Sequence, residues 1–202
     1  MSDFTYETEN RMNKYETYEW DNIWIEHANE IGRKRAAYIG DSISVGTRRI
    51  ATARTNEEIL FDGFGTSKAL DNPYFKDSIR LFFKQLPNVD TVLFNNGLHG
   101  WHLNDETEYK VLYDEMIQFI LSEIKGARLY ILLITAVENN EDNKRVKIRN
   151  TAAREVAEKY SIPVIDLYDI TSANISEISP DGIHPTEPLY EKIADEIIRN
   201  IR

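Results

Sequence analysis

A serine hydroxyl attacks a carbonyl only when a base takes its proton, and that base needs a third group to fix its tautomer and stabilise its cation. Residue types for all three roles stand in two short stretches, Gly40-Asp41-Ser42 and Asp181-Gly182-Ile183-His184-Pro185. Ser42 follows the apolar run Ala36-Ala37-Tyr38-Ile39, which reads as a buried strand, and precedes an apolar pattern of helical period. A hydroxyl at such a junction stands at a sheet edge, beside helix N-terminal amides that favour a developing negative charge. Asp181 and His184 lie three residues apart between Pro180 and Pro185, so one turn can present a carboxylate and an imidazole to the same side. Each stretch alone has a plain structural reading: Ser and Asp are favoured helix caps, and an isolated D-x-x-H in a loop can simply pack. Together they point to serine-based acyl hydrolysis.

With these residues the chain resembles the SGNH hydrolases, also called GDSL esterases and lipases, from about residue 35 to its end. Gly40-Asp41-Ser42, continued by Ile43 and Ser44, matches the family's nucleophile block, and Asp181 to His184 matches its closing block. Asp62-Gly63-Phe64-Gly65-Thr66-Ser67 falls where the family places a glycine whose N–H lines the oxyanion hole, and the resemblance assigns Gly65 to it. Asn143 to Asp166 resembles the last helix-strand unit before the closing block. The third block departs from the pattern. Where the family has Gly-x-Asn-Asp, this chain reads Leu93-Phe94-Asn95-Asn96-Gly97-Leu98-His99-Gly100. Matching the glycine puts His99 at the oxyanion-donating Asn and Gly100 at the Asp; matching Asn-Asn to Asn-Asp puts Asn95 at the donor instead. The first alignment is preferred, since an imidazole N–H can donate.

The resemblance implies catalysis by Ser42, His184 and Asp181, with an oxyanion hole drawn from the backbone of Ser42 and Gly65 and a side chain at His99 or Asn95. No cofactor or metal is called for. Substrates of such enzymes include acetylated sugars, lysophospholipids, thioesters and aryl esters. The Asn, His and Trp residues of the loops and the lack of a long apolar lid favour a short acyl group on a carbohydrate or other polar alcohol.

The elements that must position these groups alternate in the manner of an α/β sandwich. Strands are expected at Ala36 to Ile39, Glu58 to Asp62, Val89 to Asn95, Leu129 to Ala136 and within Tyr160 to Asp166, with helices at Pro73 to Leu86, Glu106 to Lys125, Asn143 onward and Glu187 to Ile201. The continuous apolar centre Tyr130 to Ile134 suits a parallel strand covered on both faces. A three-layer, doubly wound, flavodoxin-like sheet of five parallel strands follows, its order 2-1-3-4-5 implied by the resemblance. Ligands in such sheets bind beyond the carboxyl ends of the strands, where Ser42, Gly65 and the Asn95 to Gly100 loop fall.

Residues 1–34 lie outside the resemblance and are expected to form an N-terminal extension to a domain of residues 35–202. Trp20, Ile23, Trp24, His27 and Ile31 recur at intervals of three and four, which predicts an amphipathic helix over Glu19 to Ile31. Its aromatic stripe would pack on the sheet or a subunit interface, or wall the cleft through Trp20 or Trp24. Eight acids against two bases in the first thirty residues suggest that the first fifteen lack order.

Composition bounds the alternatives. A chain of 202 residues with 42% hydrophobic content supports one domain with a sizeable core. Thirty-four acidic against 24 basic side chains give a net charge of -10, which argues against a nucleic-acid partner. Cysteine is absent, which excludes disulfides and thiolate metal sites. A polar N-terminus and no membrane-length apolar run predict a cytoplasmic location and no membrane partner. The glycine pattern after the first strand lacks both the dinucleotide fingerprint and the Walker lysine, and Ser44 replaces the second glycine of G-x-S-x-G. His99, His102 and Asp105 resemble a ligand cluster without a recognisable metal spacing, and Trp101 beside them reads as a cleft wall or packing residue. The alternatives are a lysophospholipase or thioesterase of the same family, or a non-catalytic carbohydrate- or protein-binding module; only the departure at His99 favours the latter.

Overall fold

The computed structural model describes residues 14–16 and 18–202. Its sheet is built from β1 (Asp21–Trp24), β2 (Lys34–Gly40), β3 (Ile59–Thr66), β4 (Thr91–Phe94), β5 (Arg128–Leu132) and β6 (Val164–Ile165). Helices α1 (Ser42–Arg54), α2 (Phe75–Gln85), α3 (Glu106–Glu123), α4 (Asn140–Lys159), α5 (Leu167–Ala173) and α6 (Glu187–Ile201) cover both faces. The strand order is β1-β3-β2-β4-β5-β6. The five expected strands are parallel and follow the order 2-1-3-4-5 among themselves. The sheet is larger than expected: β1 adds a sixth strand, antiparallel to β3.

Alternation along β2 shows how the layers form. Ala37 and Ile39 face a core shared with α2, α3 and α4, while Ala36 and Tyr38 face one shared with α1, α5 and α6. Burial on both faces is why the strands read as apolar runs without a two-residue period. No helix among the described residues is long and apolar enough to cross a membrane.

The helix expected over Glu19 to Ile31 is not formed; β1 and an irregular connector replace it. Arg35 supplies the reason. Fully buried, it donates to Asp62 Oδ1 and Oδ2 at 2.9 and 3.0 Å and to the carbonyls of Glu26, His27 and Glu30 at 2.9, 3.0 and 3.1 Å. Three of those oxygens are ones a helix would pair with its own amides four residues on. The spacing of Trp20, Ile23, Trp24, His27 and Ile31 is therefore a coincidence of period; Ile31 is 87% exposed. The expected disorder of the first fifteen residues falls outside the described residues except at Lys14 and Tyr15.

Asp62 also accepts the Glu26 amide at 2.9 Å, so one buried ion pair joins β2, β3 and the connector from β1. Removing one partner strands a buried charge, typically at a cost of about 3–5 kcal/mol. Asp62→Asn is expected to lower unfolding free energy by about that amount. A loss below about 1 kcal/mol in denaturant titrations would show that the pair does not hold the edge.

Candidate active site

Asp41 sets the position of Ser42. As the cap of α1, it accepts the Ile43 amide on Oδ1 at 2.9 Å, which leaves Ser42 as the first residue of the helix. The other oxygen receives the Leu98 amide at 3.4 Å, a long bond that ties the loop after β4 to the same carboxylate. Gly97 makes that approach possible: its φ is +69°, and an added Cβ would lie 1.8 Å from Asp41 Oδ2. Beneath lies the fully buried Tyr38 phenol, pushed well above its ordinary 10.0 by burial and then by the charges of Asp41 and Tyr190, so it stays protonated.

The second half of the site is a closed turn ahead of α6. Ser179 N donates to His184 O at 2.7 Å, Gly182 N to Ser179 O at 2.9 Å, and Glu138 N to Gly182 O at 2.9 Å. Within it, Asp181 Oδ1 accepts the amides of Ile183 and His184 at 2.8 and 2.9 Å, while Oδ2 lies 2.8 Å from His184 Nδ1. His184 Nε2 in turn lies 2.9 Å from Ser42 Oγ. With Nδ1 protonated, the hydroxyl donates to Nε2 and Nδ1–H donates to Asp181. This hydrogen-bonded chain can take a proton from Ser42 and stabilise the resulting imidazolium.

The expected oxyanion residues are placed less simply. Gly65 lies inside β3 opposite Asn22 of β1 and Gly40 of β2, not on a loop beyond the sheet. Ser67 N donates to Trp20 O, and alternate residues of an antiparallel ladder face the same neighbour, so the Gly65 amide turns toward β1 and away from Ser42. The oxyanion role expected for Gly65 does not fit this ladder; the residue makes room for Val45 and the Asp41 carbonyl, which an added Cβ would meet at 2.4 and 3.2 Å. Asn95 donates to Leu132 O at 2.7 Å, bracing β5, and Asn96 donates to Lys68 O at 3.2 Å. His99 is 1% exposed, with Nδ1 3.5 Å from Glu16 and its ring edge-on to Trp20. His102 pairs with Asp71 at 3.0 Å and Asp105 caps α3, so the three residues of the ligand-like cluster have separate partners.

Two arginines one helical turn apart on α4 hold the loop that carries His99. Arg149 donates to the carbonyls of His99 and Gly100 at 3.1 and 2.7 Å, and Arg145 to those of Trp101 and Leu103. Both guanidinium groups lie about 5 Å from the Trp101 ring centre. Trp101 is thus a packed wall, and the 42% exposed Trp24 stands at the far edge strand against Arg49. Sequence reading passed over Arg145 and Arg149, although their spacing of four marks one helix face. Beside Asp181, a cavity of about 210 Å³ is lined by Leu98, Trp101, Val137 and Ile183, with Asn139 and Asp142 among its polar groups.

No family model and no curated protein matches the chain. Solved structures do. An acetyl xylan esterase, AlAXEase, aligns at 17% identity over 83% of this chain and 100% of its own, with a TM-score of 0.64. A member of the lipolytic G-D-S-L family from Veillonella parvula aligns at 17% identity over 83% and 98%, with a TM-score of 0.66. The lipase/acylhydrolase from Enterococcus faecalis gives 15% identity over 83% and 95%, with a TM-score of 0.60. The chain therefore shares the fold of these proteins across nearly their whole length.

Burial would raise the Asp181 carboxyl, but the amides of His184 and Ile183, the His184 ring and Ser179 outweigh it and lower the pKa from 3.8 to about 2. A depressed carboxyl contributes stability above its unfolded value, and that contribution is lost as pH falls from about 4 toward about 2. A carbon-13 NMR titration of Asp181 is expected to give a midpoint near about 2. A midpoint near the ordinary carboxylate value would mean that the turn does not hold the anion.

Proposed function

We propose that the protein is a carboxylic ester hydrolase acting through an acyl-enzyme on Ser42. The observation that carries this reading is the chain from Ser42 Oγ to His184 at 2.9 Å and from His184 to Asp181 at 2.8 Å. In the first half-reaction His184 Nε2 takes the Ser42 proton as the oxygen attacks the ester carbonyl. The tetrahedral intermediate collapses, the alcohol leaves with the proton from His184, and the acyl group stays on Ser42. Water then gives a proton to His184 and attacks the acyl carbon; the acid departs and the proton returns to Ser42. Asp181, ionised above about pH 2, orients the ring and stabilises its cation throughout.

Two donors are proposed for the oxyanion: the backbone N–H of Ser42 at the start of α1, and the side chain of His99 from the loop that abuts Asp41. The engagement of Asn95 with Leu132 favours His99 for this role. Removing one such donor typically costs 10²–10³ in turnover.

A short acyl group on a neutral polar alcohol, such as an acetylated carbohydrate, is the proposed substrate. The cavity beside Asp181 is small, about 210 Å³, and its polar groups include Asp142, with Glu138 adjoining Gly182. Acidic groups there disfavour phosphate-bearing substrates by like-charge repulsion. The acetyl xylan esterase among the fold neighbours supports the acetyl reading.

Hydrolysis of p-nitrophenyl acetate by Ser42→Ala is expected to fall on the order of 10⁶-fold, to background. Activity equal to that of the parent would overturn the proposal. Across p-nitrophenyl esters of rising chain length, acetate is expected to give the highest kcat/KM; faster cleavage of long chains would refute the short-acyl assignment.

A further inference from the structure

The segment ahead of the sheet buries a carboxylate against the loop proposed to serve the oxyanion. The Glu16 side chain is 7% exposed, and its Oε1 lies 3.5 Å from Nδ1 of His99, an electrostatic contact slightly too long for a good hydrogen bond. Among the described residues the other oxygen, Oε2, is buried with no hydrogen-bond partner. Burying a carboxylate beside an imidazole is a poor way to gain stability, because desolvation offsets most of the attraction.

The segment is fixed in place by several contacts. Glu16 N donates to Glu19 Oε1 at 3.0 Å. Glu19 accepts Ser67 Oγ at 3.0 Å and Asn72 Nδ2 at 3.4 Å, Asp21 pairs with Lys68 at 2.6 Å, and the Trp20 ring meets the His99 ring edge-on. Ser67, Lys68 and Asn72 lie on the loop after β3, which itself holds the loop after β4 through Asn96 and Lys68. His99 is thus gripped from three sides: Glu16 at Nδ1, Trp20 at the ring edge, and Arg149 at its carbonyl. Two residues before it, Gly97 abuts Asp41, the neighbour of the nucleophile.

We propose that Glu16 is a positioning residue for His99, so that residues outside the region of family resemblance form part of the active-site wall. By holding the Nδ1 side of the ring, the carboxylate fixes which edge His99 presents and keeps the loop from turning it toward solvent. A chain with histidine where an amide is usual needs this support: with Nδ1–H given to Glu16, Nε2 can donate only from the doubly protonated ring, the state that an adjoining carboxylate favours. The inference rests on the ester-hydrolase reading for its catalytic consequence, and on the Glu16–His99 contact alone for its structural one.

The test is a double-mutant cycle with p-nitrophenyl acetate on the full chain: parent, Glu16→Gln, His99→Ala and the double variant, with Ser42→Ala as control. Glu16→Gln is expected to lower kcat on the order of tenfold with KM within about twofold, and to have no further effect in the His99→Ala background. An equal fold-loss in both backgrounds, or none in either, overturns the proposal. Activity that survives Ser42→Ala overturns the ester-hydrolase reading instead. Nitrogen-15 shifts of the His99 ring, compared between the parent and Glu16→Gln, test the contact without turnover; a change is expected, and unchanged shifts overturn the proposal.

Discussion

A hydroxyl at residue 42 and an imidazole 142 positions later meet at 2.9 Å, a contact that elements from both ends of the chain hold in place. The parallel sheet places the start of α1 at the carboxyl end of β2, between the neighbouring ends of β3 and β4. The turn before α6 returns from the far side of the sheet, closed by its own amides and by Glu138, and brings His184 over Ser42. Misplacing either end by an ångström would break a 2.9 Å contact, so the packing of α1 against α6 and the shared core behind them serves position as much as stability.

Charge is used twice in this site, in different ways. Asp181 is half exposed, with side-chain accessibility of 49%, and is kept ionised by amides that it accepts within its own turn. Asp41 and Arg149 are buried and serve loops: one collects the amides of Ile43 and Leu98, the other the carbonyls of His99 and Gly100. A loop of irregular backbone packed beneath the surface has peptide groups that no strand or helix satisfies, and these side chains supply the partners.

Ser42, Asp181 and His184 were legible because each lies in a short local signal: a strand-glycine-Asp-Ser-helix junction, and a Pro-bounded turn whose carboxylate serves amides two and three residues on. The five parallel strands were legible from their apolar runs. The edge was not. Asp21 to Trp24 face solvent, so no two-residue alternation marks the strand, and an accidental spacing of aromatics imitates a helix. What overrides it is Arg35, which binds the carbonyls of Glu26, His27 and Glu30 five to nine residues back and is itself held by Asp62, 27 positions on, a pairing that leaves no trace in local pattern. The same strand extends the ladder of β3 past Asp62 and turns the Gly65 amide away from Ser42. The engagement of Asn95 with Leu132 and of His99 with Glu16 likewise depends on which loops meet, a property of topology rather than of motif.

The central claim is that His184 activates Ser42 as a nucleophile, and the most direct measurement is site mapping of a fluorophosphonate adduct by mass spectrometry. One adduct per chain on Ser42 is predicted for the native protein, with labelling strongly slowed in His184→Ala and abolished by prior denaturation. Modification of a different serine, or undiminished labelling of Ser42 in His184→Ala, would contradict the account.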